Sequence, residues 1–284
     1  MTKFLGLALL GFSSMAFAQT PAANWMPDGS KDLYVGLGIE SQARYEGSSD
    51  QRTQAAPAIQ MQWSNGVFWS GLSAGMHLST QPGIEYGPLV AIDPGRSHAS
   101  IQILGTNVTA GPPASTPFVS RAVVPGDRLD VSDTGVRVEY GGFFNYYLNG
   151  STRIATNLLF GSGEHHDGIV LAVDAQHSMQ WAAHHTFSIS AGVTVVNREY
   201  IESYYGVAPE SIALPASNSV VNDYSPRSGI KDVHAGAHWN WDLSNTWLLT
   251  SQVTVTRLTG SAADSPLTDK RTNVTLSTAL AYRF

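Results

Sequence analysis

The chain has no cysteine, little charge and, beyond its first residues, no long apolar run. Without cysteine there is no disulfide framework, no thiol catalysis and no lipid anchor attached through a cysteine. Asp, Glu, Lys and Arg supply only 13% of the 284 residues, whereas a soluble globular domain carries about 25%. Gly, Ser, Thr, Asn and Gln take their place. The net charge of −6 leaves nothing basic enough to hold nucleic acid. No stretch of eighteen or more apolar residues is left to cross a membrane as a helix. Mean hydropathy is nonetheless close to zero, so polar and apolar residues must alternate.

The first eighteen residues stand apart. Lys3 gives a positive start, Phe4 to Phe12 an apolar stretch too short to span a bilayer, and Ala16-Phe17-Ala18 a cleavage site before Gln19. Residues 1–18 are therefore expected to be a cleaved secretory signal. Residues 19–30, with Pro21, Pro27 and Asp28-Gly29, read as an unstructured periplasmic lead-in, and 31–284 as one domain.

That domain alternates with period two. Val274, Leu276, Leu280, Tyr282 and Phe284 interleave with Asn273, Thr275, Ser277, Ala279, Ala281 and Arg283. Trp247, Leu249, Val253 and Val255 oppose Thr250, Gln252, Thr254 and Thr256, and Val233 to Trp241 oppose His234, Gly236, His238 and Asn240. The same holds for Phe187–Val195, Ile169–Trp181 and Val136–Tyr146. A soluble sandwich also alternates, but its polar face meets bulk water and carries Lys and Glu. Here the polar face is Ser, Thr, Asn, Gln and Gly with single charges, as suits a confined lumen. Strands of about 9–13 residues also match the length a tilted strand needs to cross a bilayer. The expected fold is all-β, a transmembrane antiparallel up-and-down barrel.

Connections alternate in length. Short turns fall at 148–152, 182–185 and 242–245, and long loops at 93–132, 161–168, 197–229 and 260–271. Short periplasmic turns and long external loops place both termini in the periplasm. Tyr146, Trp181, Phe187, Trp239, Trp241, Trp247, Tyr282 and Phe284 flank the short turns as an aromatic girdle. Eleven candidate strands can be marked (31–45, 54–63, 66–78, 84–92, 132–147, 152–160, 168–181, 185–198, 229–241, 246–259 and 272–284), whereas such barrels have an even number. Either 66–78 splits, giving twelve, or 31–45 is not a wall strand, giving ten. Twelve is the preferred count.

Several segments resemble the MipA/OmpV (MltA-interacting protein) family of outer-membrane proteins across nearly the whole mature chain. Tyr34-Val35-Gly36-Leu37-Gly38 leads into Tyr45-Glu46-Gly47-Ser48-Ser49-Asp50-Gln51-Arg52, similar to that family's Y-E-G-S-D-D-x-R. Tyr204-Tyr205-Gly206-Val207 with Ser211 resembles its Y-[FY]-G-V-x-x-x-x-S, and Ala262-Ala263-Asp264-Ser265-Pro266 its A-A-D-S-P loop. The 93–132 loop departs from the pattern, being longer and richer in Pro and Ala. The resemblance implies residence in the bacterial outer membrane, among its lipid. For some members it implies a scaffold between a murein-degrading lytic transglycosylase and a murein synthase; others are described as porin-like or as adhesins. The terminal Phe284, with Tyr282 two before it, resembles the signal read by the barrel-assembly machinery.

No catalytic site, cofactor or metal centre is expected, so the chain reads as non-enzymatic. In Glu164-His165-His166-Asp167 the adjacent histidines point to opposite faces of an extended segment. An external hydrophilic loop is the simpler reading, and His184-His185 sits in a short turn. His234 and His238 share a strand face about 13 Å apart, too far to share a metal. His177 falls on the apolar phase, near a rim. The lumen-lining candidates are Arg137, Glu139, Asp174, His234, His238 and Arg283, with Arg137 and Glu139 placed to pair across the lumen or with Asp174. These charges form either a constriction that selects solutes or a hydrogen-bonded plug. Three functions stay open: a scaffold for the murein machinery, a narrow channel for small polar solutes, and an adhesin acting through the 93–132 and 197–229 loops. Stable interfaces bury about 800 Å² per partner. A scaffold would therefore need several short turns, or the 19–30 segment, acting together.

Overall fold

The computed structural model describes residues 29, 31–81, 83–93, 104–105, 137–161, 168–207 and 224–284, the side chain of Arg137 excepted. The 1–18 leader, nearly all of the 19–30 lead-in and the Glu164–Asp167 cluster lie outside the described residues.

Twelve antiparallel strands close into one barrel in which each pairs with its sequence neighbours and β1 pairs with β12. They are β1 (Lys31–Ala43), β2 (Gln51–Trp63), β3 (Val67–Ser70), β4 (Ser73–Met76), β5 (Ile84–Asp93), β6 (Arg137–Asn149), β7 (Thr152–Gly161), β8 (Ile169–Ala182), β9 (His185–Val196), β10 (Gly229–Asp242), β11 (Trp247–Leu258) and β12 (Thr272–Arg283). The count of twelve arises as the sequence suggested: 66–78 breaks into β3 and β4, folded back at Gly71, while 31–43 is a full wall strand. Ten strands is therefore wrong. No helix among the described residues is long and apolar enough to cross a membrane; the strands cross it.

Alternation sorts the side chains. Leu37, Ile39, Val138, Tyr140, Leu276 and Leu280 are exposed on the outer wall, where lipid covers them, while Glu40, Gln60, Asn145, Asn157 and Asn273 are buried within. The periplasmic turns are closed by short polar side chains. Asn149 Oδ1 accepts from the backbone N–H groups of Ser151 and Thr152 at 2.9 Å each, and Ser244 Oγ from Thr246 and Trp247 at 3.2 and 3.1 Å. Beside them stand the aromatics of the girdle, with His185, Trp239 and Trp241 stacked and Trp247, Tyr282 and Phe284 meeting edge to face.

The wall is uneven. β3 pairs only with Gln60–Gln62, so β2 runs on above it without that neighbour. Leu104, from the β5–β6 connection, bonds there instead: its N–H donates to Pro57 O and its carbonyl accepts from Ile59 N–H, both at 2.8 Å. Pro57 has no donor of its own, and it sits beyond the last β3 pair, where none is used. The Leu104 side chain packs inward on Ala56, Ala58 and Ala279.

Among the described residues two short helices, absent from the strand-only expectation, occupy external loops. α1 (Arg198–Tyr205) begins where Asn197 Oδ1 accepts from Tyr200 N at 3.0 Å and from Ile169 N at 2.8 Å, capping the helix and fastening it to β8. Its buried face, Tyr200, Ile201 and Tyr205, packs with Val170, Val196 and Leu258 and with Ala262 and Ala263 of α2 (Gly260–Ala263).

Candidate functional site

The β1–β2 loop, 44–50, lies at the external end beside α1 and the β11–β12 loop. Gly47 has φ +95°, and a Cβ there would come within 3.2 Å of Thr268 and Leu258, so glycine is required on both conformation and space. Asn273 of β12 grips this loop: its Oδ1 accepts from Gly47 N–H and its Nδ2 donates to Ser48 O, both at 2.9 Å. Tyr45 donates to Asp269 at 2.8 Å, and Gly47 O accepts from the N–H groups of Asp269 and Lys270. Ser265 Oγ donates to Tyr205 O at 2.7 Å, while Tyr204 donates to Asp93 at the top of β5. Asp50 binds within its own loop through Ser48 Oγ at 3.1 Å. Asp264 pairs with Arg271 at the exposed rim at 3.0 Å. Gly206 N–H closes α1 on Glu202 O at 2.9 Å, Val207 bridges Tyr224, Pro266 is exposed and Arg52 opens β2 half-buried. Three segments distant in sequence therefore interlock in one cap.

Glu46 carries this cap into the barrel. Its carboxylate accepts from Tyr205 Oη at 2.7 Å and from Lys231 Nζ at 2.8 and 2.7 Å. Lys231 also meets Asp232 at 3.1 Å and lies 5.8 Å from the centre of the Tyr200 ring. Asp232 Oδ1 accepts from Thr194 at 3.1 Å and faces His234 Nδ1 at 2.9 Å; His234 Nε2 faces Asp174 Oδ1 at 2.7 Å. A neutral imidazole has a single donor, whereas both nitrogens here face a carboxylate oxygen. With both aspartates ionised, the ring is an imidazolium donating twice. Above the wall, burial pushes the Tyr200 and Tyr205 phenols well over the usual tyrosine range.

Two local features make this possible. The β9–β10 register slips between Ile230 and Asp232, a bulge that turns Lys231 inward beside Asp232 instead of outward. Gly192 lies between Asp174 and His234 in the cross-strand row, and a Cβ on it would stand 2.4 Å from Asp174 Oδ1 and 2.6 Å from His234 Nε2. The two side chains meet across β9 through that space.

The remaining sequence-derived residues are placed separately. Glu139 is buried on the inner face of β6, and the Arg137 side chain lies outside the described residues. Asp174 binds His234, two strands away; the expected pairing of Arg137 with Glu139 across the lumen or with Asp174 involves a side chain outside the described residues. His238 bonds Thr250 at 2.7 Å, lower in the barrel. Arg283 sits at the periplasmic mouth, half-exposed, against Asp32 at 2.7 Å. Tyr282 is on the outer girdle and Phe284 N–H donates to Leu33 O at 3.0 Å. His177 meets Thr152 at the periplasmic rim at 2.8 Å. Sequence reasoning missed Lys231, Asp232, Tyr200 and Gly192; an adjacent Lys-Asp pair at a strand start was the one visible sign. Among the described residues no group of three or more His, Asp and Glu is arranged to hold a metal ion.

Solved structures similar to this chain include the NanC porin, with 9% identity over 89% of this chain and 100% of that one at TM-score 0.46. An outer membrane channel from Pseudomonas putida F1 shares 8% identity over 91% and 97% at TM-score 0.43. The outer membrane channel DcaP of Acinetobacter baumannii shares 8% over 90% and 96% at TM-score 0.37. Among curated proteins none matches. The family model described as MltA-interacting protein MipA matches residues 35–284.

Proposed function

Because this chain belongs to the MltA-interacting protein MipA family and is an outer-membrane β-barrel, we propose that it works as a closed, non-enzymatic barrel that docks a murein-processing enzyme on its periplasmic face, after export through a cleaved 1–18 signal. The observation that carries this reading is the filled outer half of the barrel. Asp174, Asp232, His234, Lys231 and Glu139 are all buried there beneath the Glu46–Tyr205 cap. A barrel closed in this way acts through its surfaces.

The periplasmic face supports an interface made of several short pieces. Gly29 N–H donates to Ser64 Oγ at 3.0 Å, so the lead-in meets the β2–β3 turn. Gly66 O accepts from His77 N–H at 2.9 Å, and Gly83 O from Tyr147 N–H at 2.8 Å. The turns at 64–66, 77–83 and 148–151 are thereby contiguous, which brings the roughly 800 Å² of a stable interface within reach. The partner class comes from the family's name, and a lytic transglycosylase is the enzyme to test. Affinity purification of the intact barrel from outer membranes should retain such an enzyme, and deleting residues 19–28 should lose it. Equal recovery of the enzyme with an unrelated barrel of similar size would reject the docking reading. A narrow channel is the second reading, favoured by half-buried polar side chains such as Gln176 and Gln252 on the inner wall.

A further inference from the structure

Below the cap the interior is divided in two. On the β3–β7 side Phe68, Leu89, Ala91, Phe143 and Leu159 form a buried apolar cluster, and the His77 ring packs against both phenylalanines at 4.9 and 5.2 Å. The β8–β12 side is built differently. Its inner wall presents Ser178, Ser190, Gly236, Gln252 and Ser277, small or flexible polar residues that keep part of their surface accessible. Between them Ser188, Asn240, Thr250 and Thr254 are buried, and the row Asp174–Gly192–His234 crosses the wall above them. Above it stand Asp232, Lys231 and Glu46.

α1 is held to this part of the wall by Asn197 on β8 and by packing on Val170, Val196 and Leu258, whereas the β1–β2 loop reaches α1 and β10 through one carboxylate. Glu46 belongs to the β1–β2 loop, yet it binds Lys231 of β10 and Tyr205 of α1, and β10 is the third strand round the wall from β1. The Asn273 bonds and those of Asp269 and Lys270 hold the same loop to β12 and to the connection before it, alongside it. We infer that Glu46, clamped by Lys231 and Tyr205, is a latch, and that releasing it opens the β8–β12 sector as a path for small hydrophilic solutes. Asp174 and Asp232 stand at the head of that path together with Lys231 and His234, so the balance among these charges sets which ions pass. The inference rests on the closed-barrel reading above and adds an activity to it.

Single-barrel recordings in planar bilayers of the full mature chain test both. The unaltered barrel stays silent. Glu46→Gln and Lys231→Cys each raise open probability about a hundredfold or more, the scale set by leaving one member of a buried ion pair without its partner. By reversal potential the Lys231→Cys openings are the more cation-selective, because Glu46, Asp174 and Asp232 then face His234 without the ammonium. Because the chain has no other cysteine, alkylating the Lys231→Cys barrel with bromoethylamine builds a lysine-like ammonium at that position alone, and the silent state returns. Heat-modifiable gel mobility identifies folded barrels, and two variants on opposite sides of the latch guard against one that does not fold. Steady conductance by the unaltered barrel overturns the closed-barrel reading. A silent parent with folded, silent variants overturns the latch alone, as does a Lys231→Cys conductance that aminoethylation leaves open.

Discussion

Replacing Gly192 by alanine is a change of one methyl group with a large expected cost. That methyl would stand 2.4 Å from Asp174 Oδ1, 2.6 Å from His234 Nε2 and 2.6 Å from Val173 O. The first two atoms can rotate away only by breaking their own 2.7 Å contact, a charge-assisted hydrogen bond worth about 1.5–3 kcal/mol. The carbonyl of Val173 is held in the ladder, and easing its overlap adds about 1–3 kcal/mol. A loss of about 2.5–6 kcal/mol follows, or about two to four decades in the folding equilibrium at about 1.4 kcal/mol per decade. Gly236, the inward glycine on the next strand, is the internal control. A methyl there would meet Ser190 Oγ at 3.1 Å, Val253 O at 3.2 Å and Thr254 Oγ1 at 3.4 Å. Those hydroxyls can turn, and the cost should stay near 1 kcal/mol, since alanine regains chain entropy that glycine loses.

The assay is urea unfolding in lipid vesicles followed by tryptophan fluorescence, with gel mobility confirming the folded starting state. Combining Gly192→Ala with Asp174→Asn supplies a second test. Both changes act on the His234 contact, so their costs should fall short of additive by at least about 1 kcal/mol. The reasoning fails if Gly192→Ala unfolds with the parent, or if Gly236→Ala is equally damaging.

Leu37 lies at the middle of β1 on the outer face, opposite Leu280 and Pro57. Leu37→Lys should cost about 2–4 kcal/mol in vesicles, and Leu148→Lys beside a periplasmic turn about 0–1 kcal/mol. Equal costs at both positions would contradict the assigned membrane depth. In α1, burial raises the Tyr200 and Tyr205 phenols above their ordinary range. A raised folded value means their contribution is complete below about pH 10, the unfolded value, and is lost as pH rises past it. Phenolate absorbance should show both tyrosines silent while exposed tyrosines titrate, and Tyr205→Phe should flatten the alkaline fall in stability. Titration of either tyrosine near pH 10 in the folded barrel would refute their burial.

How much of this was legible in the sequence depends on what alternation can report. Period two assigns a residue to a side of the wall. It sent Leu276 and Leu280 outward and His234 inward, as observed, and the parity argument located the split at 66–78 correctly. It does not report neighbours, because those follow from register accumulated strand by strand. Asp174 and His234 are sixty residues apart, and only the rows Asp174–Gly192 and Gly192–His234 bring them together. Lys231 fails the rule itself: the bulge after Ile230 reverses the phase for the residues before it, so a lysine that strict alternation turns toward lipid points inward. The helices escaped for a related reason, since eight residues of α1 carry too few turns for a periodic signal, and Asn197 marks the start only once Tyr200 is seen to donate to it. The three resembling segments were visible as strings, but their meaning is geometric. Glu46 is the residue through which the first of them, against Tyr205 of the second, reaches the barrel wall. A carboxylate in an external loop looks like a solvated surface charge until the ammonium buried beneath it is found, and that ammonium was hidden by one slipped residue.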